Sequence, residues 1–272
     1  MRIRSFGWAA ALAAAACVPP GSAGDQPDAG RAASPQAAAP AAPTFTPSQN
    51  VMTAPFEDSF DRPGAAASTS APPAPSGSAS TSAPPAAGDP GPEWTASSPG
   101  LWRIENGRLC GEHARNHGVW LKRTLPVNAR IEFDAVSQAP DGDLKAEYWG
   151  DGRSFATTLS YTNATSYLTI FGGWHNKFHV LARLNEHGND RKEITVTPDS
   201  DDPREKPVVS GQSYHFKVER ADGRTIRWWI DGIDMLTWND PAPLVGSGHD
   251  HFGFNDWDVK VCFDNVKVVP LP

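Results

Sequence analysis

No stretch of this sequence approaches the roughly 20 consecutive apolar residues that a membrane-crossing helix needs. The longest, Phe6 to Ala16, falls well short, and it follows the basic start Met1-Arg2-Ile3-Arg4, as the apolar region of an export signal does. Cysteine is scarce, with three in 272 residues at positions 17, 110 and 262. That spacing has no metal-ligand pattern, so no zinc site is expected. After export, Cys110 and Cys262 would meet an oxidising compartment, where they can pair if their Cβ atoms lie within reach; the sequence leaves that open. Basic patches are missing too, since the net charge of −7 is spread evenly, and nucleic acid is therefore not an expected partner. Nor is there a convincing helix of ~12 or more residues. The chain has no EF-hand loop, phosphate-binding glycine loop, H-E-x-x-H helix or G-x-S-x-G elbow, so no organic cofactor is expected.

What is present is tryptophan. Nine of the ten lie beyond residue 93, in a region of short alternating strands, and several stand beside charged or amide side chains. An indole offers a flat, weakly hydrated face that can cover the C–H face of a sugar while neighbouring polar groups bind its hydroxyls. Large aromatics are nevertheless mostly buried, so most of the nine are expected in the core.

Low-complexity segments rich in Ala, Pro, Ser and Gly run from 18 to about 50 and again from 64 to 92. They hold too little to bury and read as a disordered stalk and a disordered insertion. Between them, Phe56 to Arg62 resembles a strand, so the domain is placed at 51–272 with the insertion inside it. Ile131, Phe133 and Ala135 alternate with polar neighbours, as do Tyr214, Phe216 and Val218, the pattern of half-buried antiparallel strands. Asp231-Gly232 between apolar runs marks a tight hairpin. These features predict an all-β, two-sheet antiparallel sandwich.

Ala14-Ala15-Ala16-Cys17 resembles the bacterial lipobox. The resemblance implies a signal peptide over 1–17 and a lipoprotein tethered through Cys17 to the cell envelope, at the outer membrane or cell surface. An ordinary cleavage after Ala23, giving a secreted protein, is the alternative. Membrane contact is expected through that lipid only, and a monomer is expected.

The segments Trp102 to Leu109, Tyr214 to Arg220, Ile226 to Gly232 and Phe263 to Val268 together resemble the concanavalin A-like lectin and glucanase superfamily, with the flavour of 3-keto-disaccharide hydrolase-type domains. That resemblance implies a jelly roll whose concave face holds a polysaccharide or glycoconjugate. The opening Phe56 to Asp61 and the closing Phe263 to Val266 are similar to the termini of family-sixteen β-glucanases. Those enzymes carry a central E-x-D-x-x-E strand, and the nearest match here, Glu132-Phe133-Asp134-Ala135-Val136-Ser137, has serine in place of the acid/base glutamate. The catalytic pair is not reproduced, and Glu132 and Asp134 read as a solvent face. Superfamily members often bind calcium where the first and last strands meet, which makes Asp58 and Asp264 candidate ligands, although turn capping explains Asp264 equally well.

Four groups carry the candidate chemistry. In Asp141 to Trp149, period two would place Asp143, Lys145, Glu147 and Trp149 on one face, either as a groove floor or as a charged edge strand. Trp174, His175 and Asn176 follow paired glycines, and Asn255, Asp256 and Trp257 follow Gly253, near strand ends where a bend can aim an indole over a rim. Seven ionisable residues fall within Arg183 to Glu193; a wet hairpin tip accounts for such a run, but Arg183, Glu186, His187 and Arg191 could also grip an anionic or hydroxyl-rich sugar. If the chain is an enzyme, a glycoside hydrolase or lyase, its acid/base groups would be Glu147, Glu186 and His187. A structural envelope protein with no small ligand is the third reading.

Overall fold

The computed structural model describes residues 45–62 and 89–272. Cys17 and the expected signal peptide, the expected stalk up to residue 44 and the expected insertion from 64 to 88 lie outside the described residues. Among these residues, fifteen strands follow in chain order. The first six are β1 (Phe56–Asp58), β2 (Trp94–Ala96), β3 (Trp102–Glu105), β4 (Arg108–Gly111), β5 (Val119–Leu121) and β6 (Ala129–Ser137). Next come β7 (Leu144–Gly150), β8 (Tyr167–Gly172), β9 (Phe178–Arg183) and β10 (Lys192–Thr195). The last five are β11 (Ser213–Arg220), β12 (Thr225–Ile230), β13 (Ile233–Asn239), β14 (His251–Asn255) and β15 (Val261–Pro270).

They form two antiparallel sheets. The first runs β13-β12-β11-β6-β15-β4-β3, with β1 also bonded to β15, and the second runs β10-β9-β8-β7-β14-β5-β2. The expected all-β sandwich of two antiparallel sheets is therefore the observed one. Alternation explains the first sheet directly. Ile131, Phe133 and Ala135 of β6 and Phe216 and Val218 of β11 are wholly buried, while Glu132 and Asp134 face outward, where Asp134 accepts from His215 at 2.8 Å. The Asp231-Gly232 turn joins β12 to β13 with φ of 49° and 81°, the positive values that an Asp-Gly hairpin tolerates.

Aromatic side chains fill the space between the sheets. Phe254 stacks on Phe263 with centroids 3.9 Å apart and Phe133 on Phe216 at 4.8 Å. Each ring removed from water contributes about 1.5–3 kcal/mol. Six of the nine tryptophans after residue 93 are buried: Trp94, Trp102, Trp120, Trp149, Trp228 and Trp238. Cys110 and Cys262 sit opposite each other on β4 and β15 and are joined as a disulfide.

The outer face of the second sheet is only partly open. The connection between β7 and β8 folds back over it, and Ala156, Tyr161 and Ala164 pack on Leu168, Ile170, Val180 and Ala182 in a second apolar cluster. What remains uncovered is the end of the sheet near Lys145.

Candidate functional site

The floor of that open end is built by β7. Leu144, Ala146 and Tyr148 point into the core, so Lys145 and Glu147 point outward. A buried ammonium needs partners, and Lys145 Nζ donates to Glu186 Oε2 at 2.9 Å and Asn116 Oδ1 at 2.7 Å. Burial opposes the charge on Lys145, but the Glu186 and Asp143 carboxylates outweigh it and hold its pKa above the ordinary value. Burial likewise raises Glu186, and the Lys145 ammonium outweighs it, so its carboxyl stays below the usual range. Both partners are therefore charged at neutral pH. His187 Nε2 lies 3.2 Å from Glu186 Oε1.

One wall comes from the turn at 172–176. Gly172, Trp174, His175 and Asn176 have φ of 75°, 52°, 58° and 56°, and the Lys177 amide donates to Gly173 O at 2.9 Å. This is one turn of left-handed helix, which costs an L-residue roughly 1–2 kcal/mol at each position. Asn176 holds it in place. Its Nδ2 donates to Pro140 O at 2.6 Å and Val208 O at 3.0 Å, and its Oδ1 accepts from the Val208 amide at 2.9 Å. The turn also presses on the loop before β7: a Cβ at Gly142 would lie 2.5 Å from Gly172 O, so only glycine fits. Trp174 is thereby fixed half-exposed, with the Arg191 guanidinium 4.8 Å from its ring and His187 edge-on at 5.5 Å.

Trp257 forms another part of the wall. Its amide donates to Asp143 Oδ2 at 3.1 Å, and the Arg115 guanidinium lies 4.7 Å from its ring. Trp174, Trp257, Asp143, Lys145, Glu186 and His187 line a cleft of about 640 Å³, with Leu159, Ser160 and His175 at its edges. That volume is in the range of small-ligand sites.

The structure brings Asp143, Lys145, Trp174, His175, Glu186, His187 and Trp257 together and moves the other candidates elsewhere. Trp149 does not share the face of Lys145. A bulge in the β7–β14 pairing and a φ of 52° turn it into the core, where its Nε1 donates to Pro126 O at 3.0 Å and the Arg220 guanidinium lies 3.9 Å from its ring. Arg183 pairs with neither Glu186 nor Glu147: its Nε donates to Asp240 Oδ2 at 2.8 Å. Arg191 bonds Glu193 and the Glu186 carbonyl while bracing Trp174. Asn176 spends its amide on backbone, as described.

Glu147 faces outward but is sealed beneath the β7–β8 connection. It accepts from Ser166 Oγ at 2.6 Å, Tyr161 hydroxyl at 3.1 Å and Asn255 Nδ2 at 2.6 Å, which also accounts for Asn255. Burial pushes Glu147 up to about 7 against these bonds. Asp256 is buried as well, accepting from the Ala114 and Val259 amides, and burial together with the Asp143 charge pushes it up to about 7.

Asp58 and Asp264, the candidate calcium ligands, both face arginines. Both Asp58 oxygens accept from Arg62, at 2.7 and 2.8 Å, and Oδ2 also accepts from Trp94 Nε1 at 2.9 Å. Asp264 faces Arg108 at 3.6 Å. Among the described residues no group of three or more His, Cys, Asp or Glu side chains is arranged to hold a metal.

Several contributors escaped the sequence reading. Asn116, Tyr161 and Ser160 belong to no motif, and their part follows only from how loops fold onto the second sheet.

No protein-family model and no curated protein matches the sequence. Solved structures give remote resemblances. One is the carbohydrate-binding module CBM66 from Bacillus subtilis, at 16% identity and a TM-score of 0.47, covering 64% of this chain and 94% of that one. Another is a non-specific endo-β-1,3(4)-glucanase of family GH16, at 13% identity and a TM-score of 0.48, covering 82% of this chain and 94% of that one. A third is the alginate lyase Aly36B, at 11% identity and a TM-score of 0.40, covering 63% of this chain and 85% of that one.

Proposed function

We propose that this protein binds a polysaccharide or glycoconjugate in the cleft between Trp174 and Trp257. One observation carries the reading. Of the three tryptophans after residue 93 that are not buried, two line this cleft, and the third, Trp229, lies on the other sheet with the Lys217 ammonium 4.0 Å from its ring. Two partly exposed indoles bounding a cavity with carboxylates, histidines and an ammonium at its floor form a stacking surface with hydroxyl-binding groups beside it. A lipid on Cys17 would make this a tethered glycan receptor of the cell envelope.

Binding is favoured over glycoside hydrolysis or lyase chemistry by the carboxyl groups. A general acid needs a raised pKa and access to the leaving oxygen. Glu147 has the raised pKa but is sealed, while Glu186 lines the cleft, itself largely buried, and is held ionised by Lys145.

The test is glycan-array binding of the full chain and its Trp174→Ala and Trp257→Ala variants, with reducing-end release assayed on every hit. Binding weakened at least about tenfold in each variant, without release, is expected. Release abolished by Glu186→Gln would establish an enzyme instead, and no binding to any glycan would overturn the proposal.

A further inference from the structure

The charges around the cleft narrow the ligand class, provided the carbohydrate reading holds. Five carboxylates line it, from Glu112, Asp141, Asp143, Glu186 and Asp258, against two lysines. Both lysines are committed: Lys145 to Glu186 and Asn116, and Lys260 Nζ to Glu105 Oε2 at 2.6 Å. The nearby arginines are committed as well, Arg183 to Asp240, Arg191 to Glu193 and Arg115 to Asp258 at 2.7 Å. An anionic sugar would therefore meet carboxylates with no uncommitted cation to receive it.

The acids are less fully used. Asp143 accepts one hydrogen bond, from the Trp257 amide through Oδ2, and also feels the Lys145 ammonium, while Asp141 has His175 Nδ1 at 3.2 Å. The bond to the Trp257 amide ties the Asp143 carboxylate to the residue that bears one of the cleft's indoles, and an anion and an aromatic ring lining one cleft suit an ammonium group.

We infer that the glycan held in this cleft is a deacetylated amino sugar, whose ammonium meets Asp143 and Asp141 while its ring lies against the adjoining indole. The cavity and its two indoles define the site, and the carboxylates select the sugar. Of the two sugar types expected here, anionic or hydroxyl-rich, the inference takes the second and adds an ammonium group to it.

Three oligomers test this against the full chain by calorimetry at low and high salt: β-1,4-linked glucosamine, its fully N-acetylated counterpart, and β-1,4-linked mannuronate. The glucosamine oligomer should bind about tenfold more tightly than the acetylated one. That advantage should shrink at high salt and vanish in Asp143→Asn, which keeps an acceptor for the Trp257 amide. Asp141→Asn, at an exposed position, should reduce it without touching stability. Equal affinity for the acetylated oligomer, or equal or tighter binding of the uronate, overturns the inference and leaves the carbohydrate reading standing. The same holds if none of the three binds while another array glycan does. If nothing on the array binds, both fall together.

Discussion

The Tyr161 hydroxyl donates to Glu147 Oε2 at 3.1 Å, tying the connection after β7 back onto β7 itself. Ser166 and Asn255 complete the set of donors around that carboxyl. This buried acid is thus a polar anchor of the roof over the second sheet, beside the apolar cluster of Ala156, Tyr161 and Ala164 and the bond from the Tyr161 amide to Glu186.

That anchor makes stability depend on pH in a definite direction. Burial raises Glu147 from 4.5 to about 7, so between these values the folded state holds a proton that the unfolded chain has released. Its contribution to stability therefore falls as pH rises from 4.5 to 7, then levels off. Glu147→Gln isolates this term from other groups, including His179, whose burial lowers its pKa to about 4 and gives the opposite slope. Urea unfolding should find the variant's stability rising relative to the native protein by about 3 kcal/mol between pH 4.5 and 8. A constant difference across that range would show that Glu147 does not titrate in this window.

Cys110 and Cys262 close a loop of 152 residues. Constraining the unfolded chain over such a length contributes about 4–5 kcal/mol. Reduction, or Cys110→Ala with Cys262→Ala, should lower the urea midpoint accordingly, whereas an unchanged midpoint after complete reduction would contradict the pairing.

His175 is exposed yet held at φ 58°. Glycine adopts that conformation without the steric cost, although it also gains freedom in the unfolded chain. His175→Gly should be more stable by about 0.5–1 kcal/mol. A destabilised variant would show that the histidine stabilises the turn more than its backbone conformation costs.

The sandwich was legible wherever one face of a strand is wet. Ile131 to Ala135 and Tyr214 to Val218 alternate because water meets every second residue, and Asp231-Gly232 announces its own turn. The site was legible only in pieces. Trp174, Glu186, His187 and Trp257 stand at turns whose glycines and charges mark them as unusual. Period two failed at Trp149 because one extra residue in a bulge reverses the face, which strand pattern does not reveal. Arg183 was misplaced because its partner, Asp240, lies 57 residues further on. The seal over Glu147 was invisible because Tyr161 and Ser166 sit in a loop with no periodicity.

The left-handed turn at 172–176 has a kinetic and entropic consequence for association. Asn176 fixes the backbone that carries Trp174, and Arg191 braces its indole, before any ligand arrives. The ordering cost of that side chain falls on folding and is absent from the binding equilibrium. For a glycan bound as proposed, affinity lost by loosening the turn would then appear as faster dissociation from an indole no longer ordered in advance.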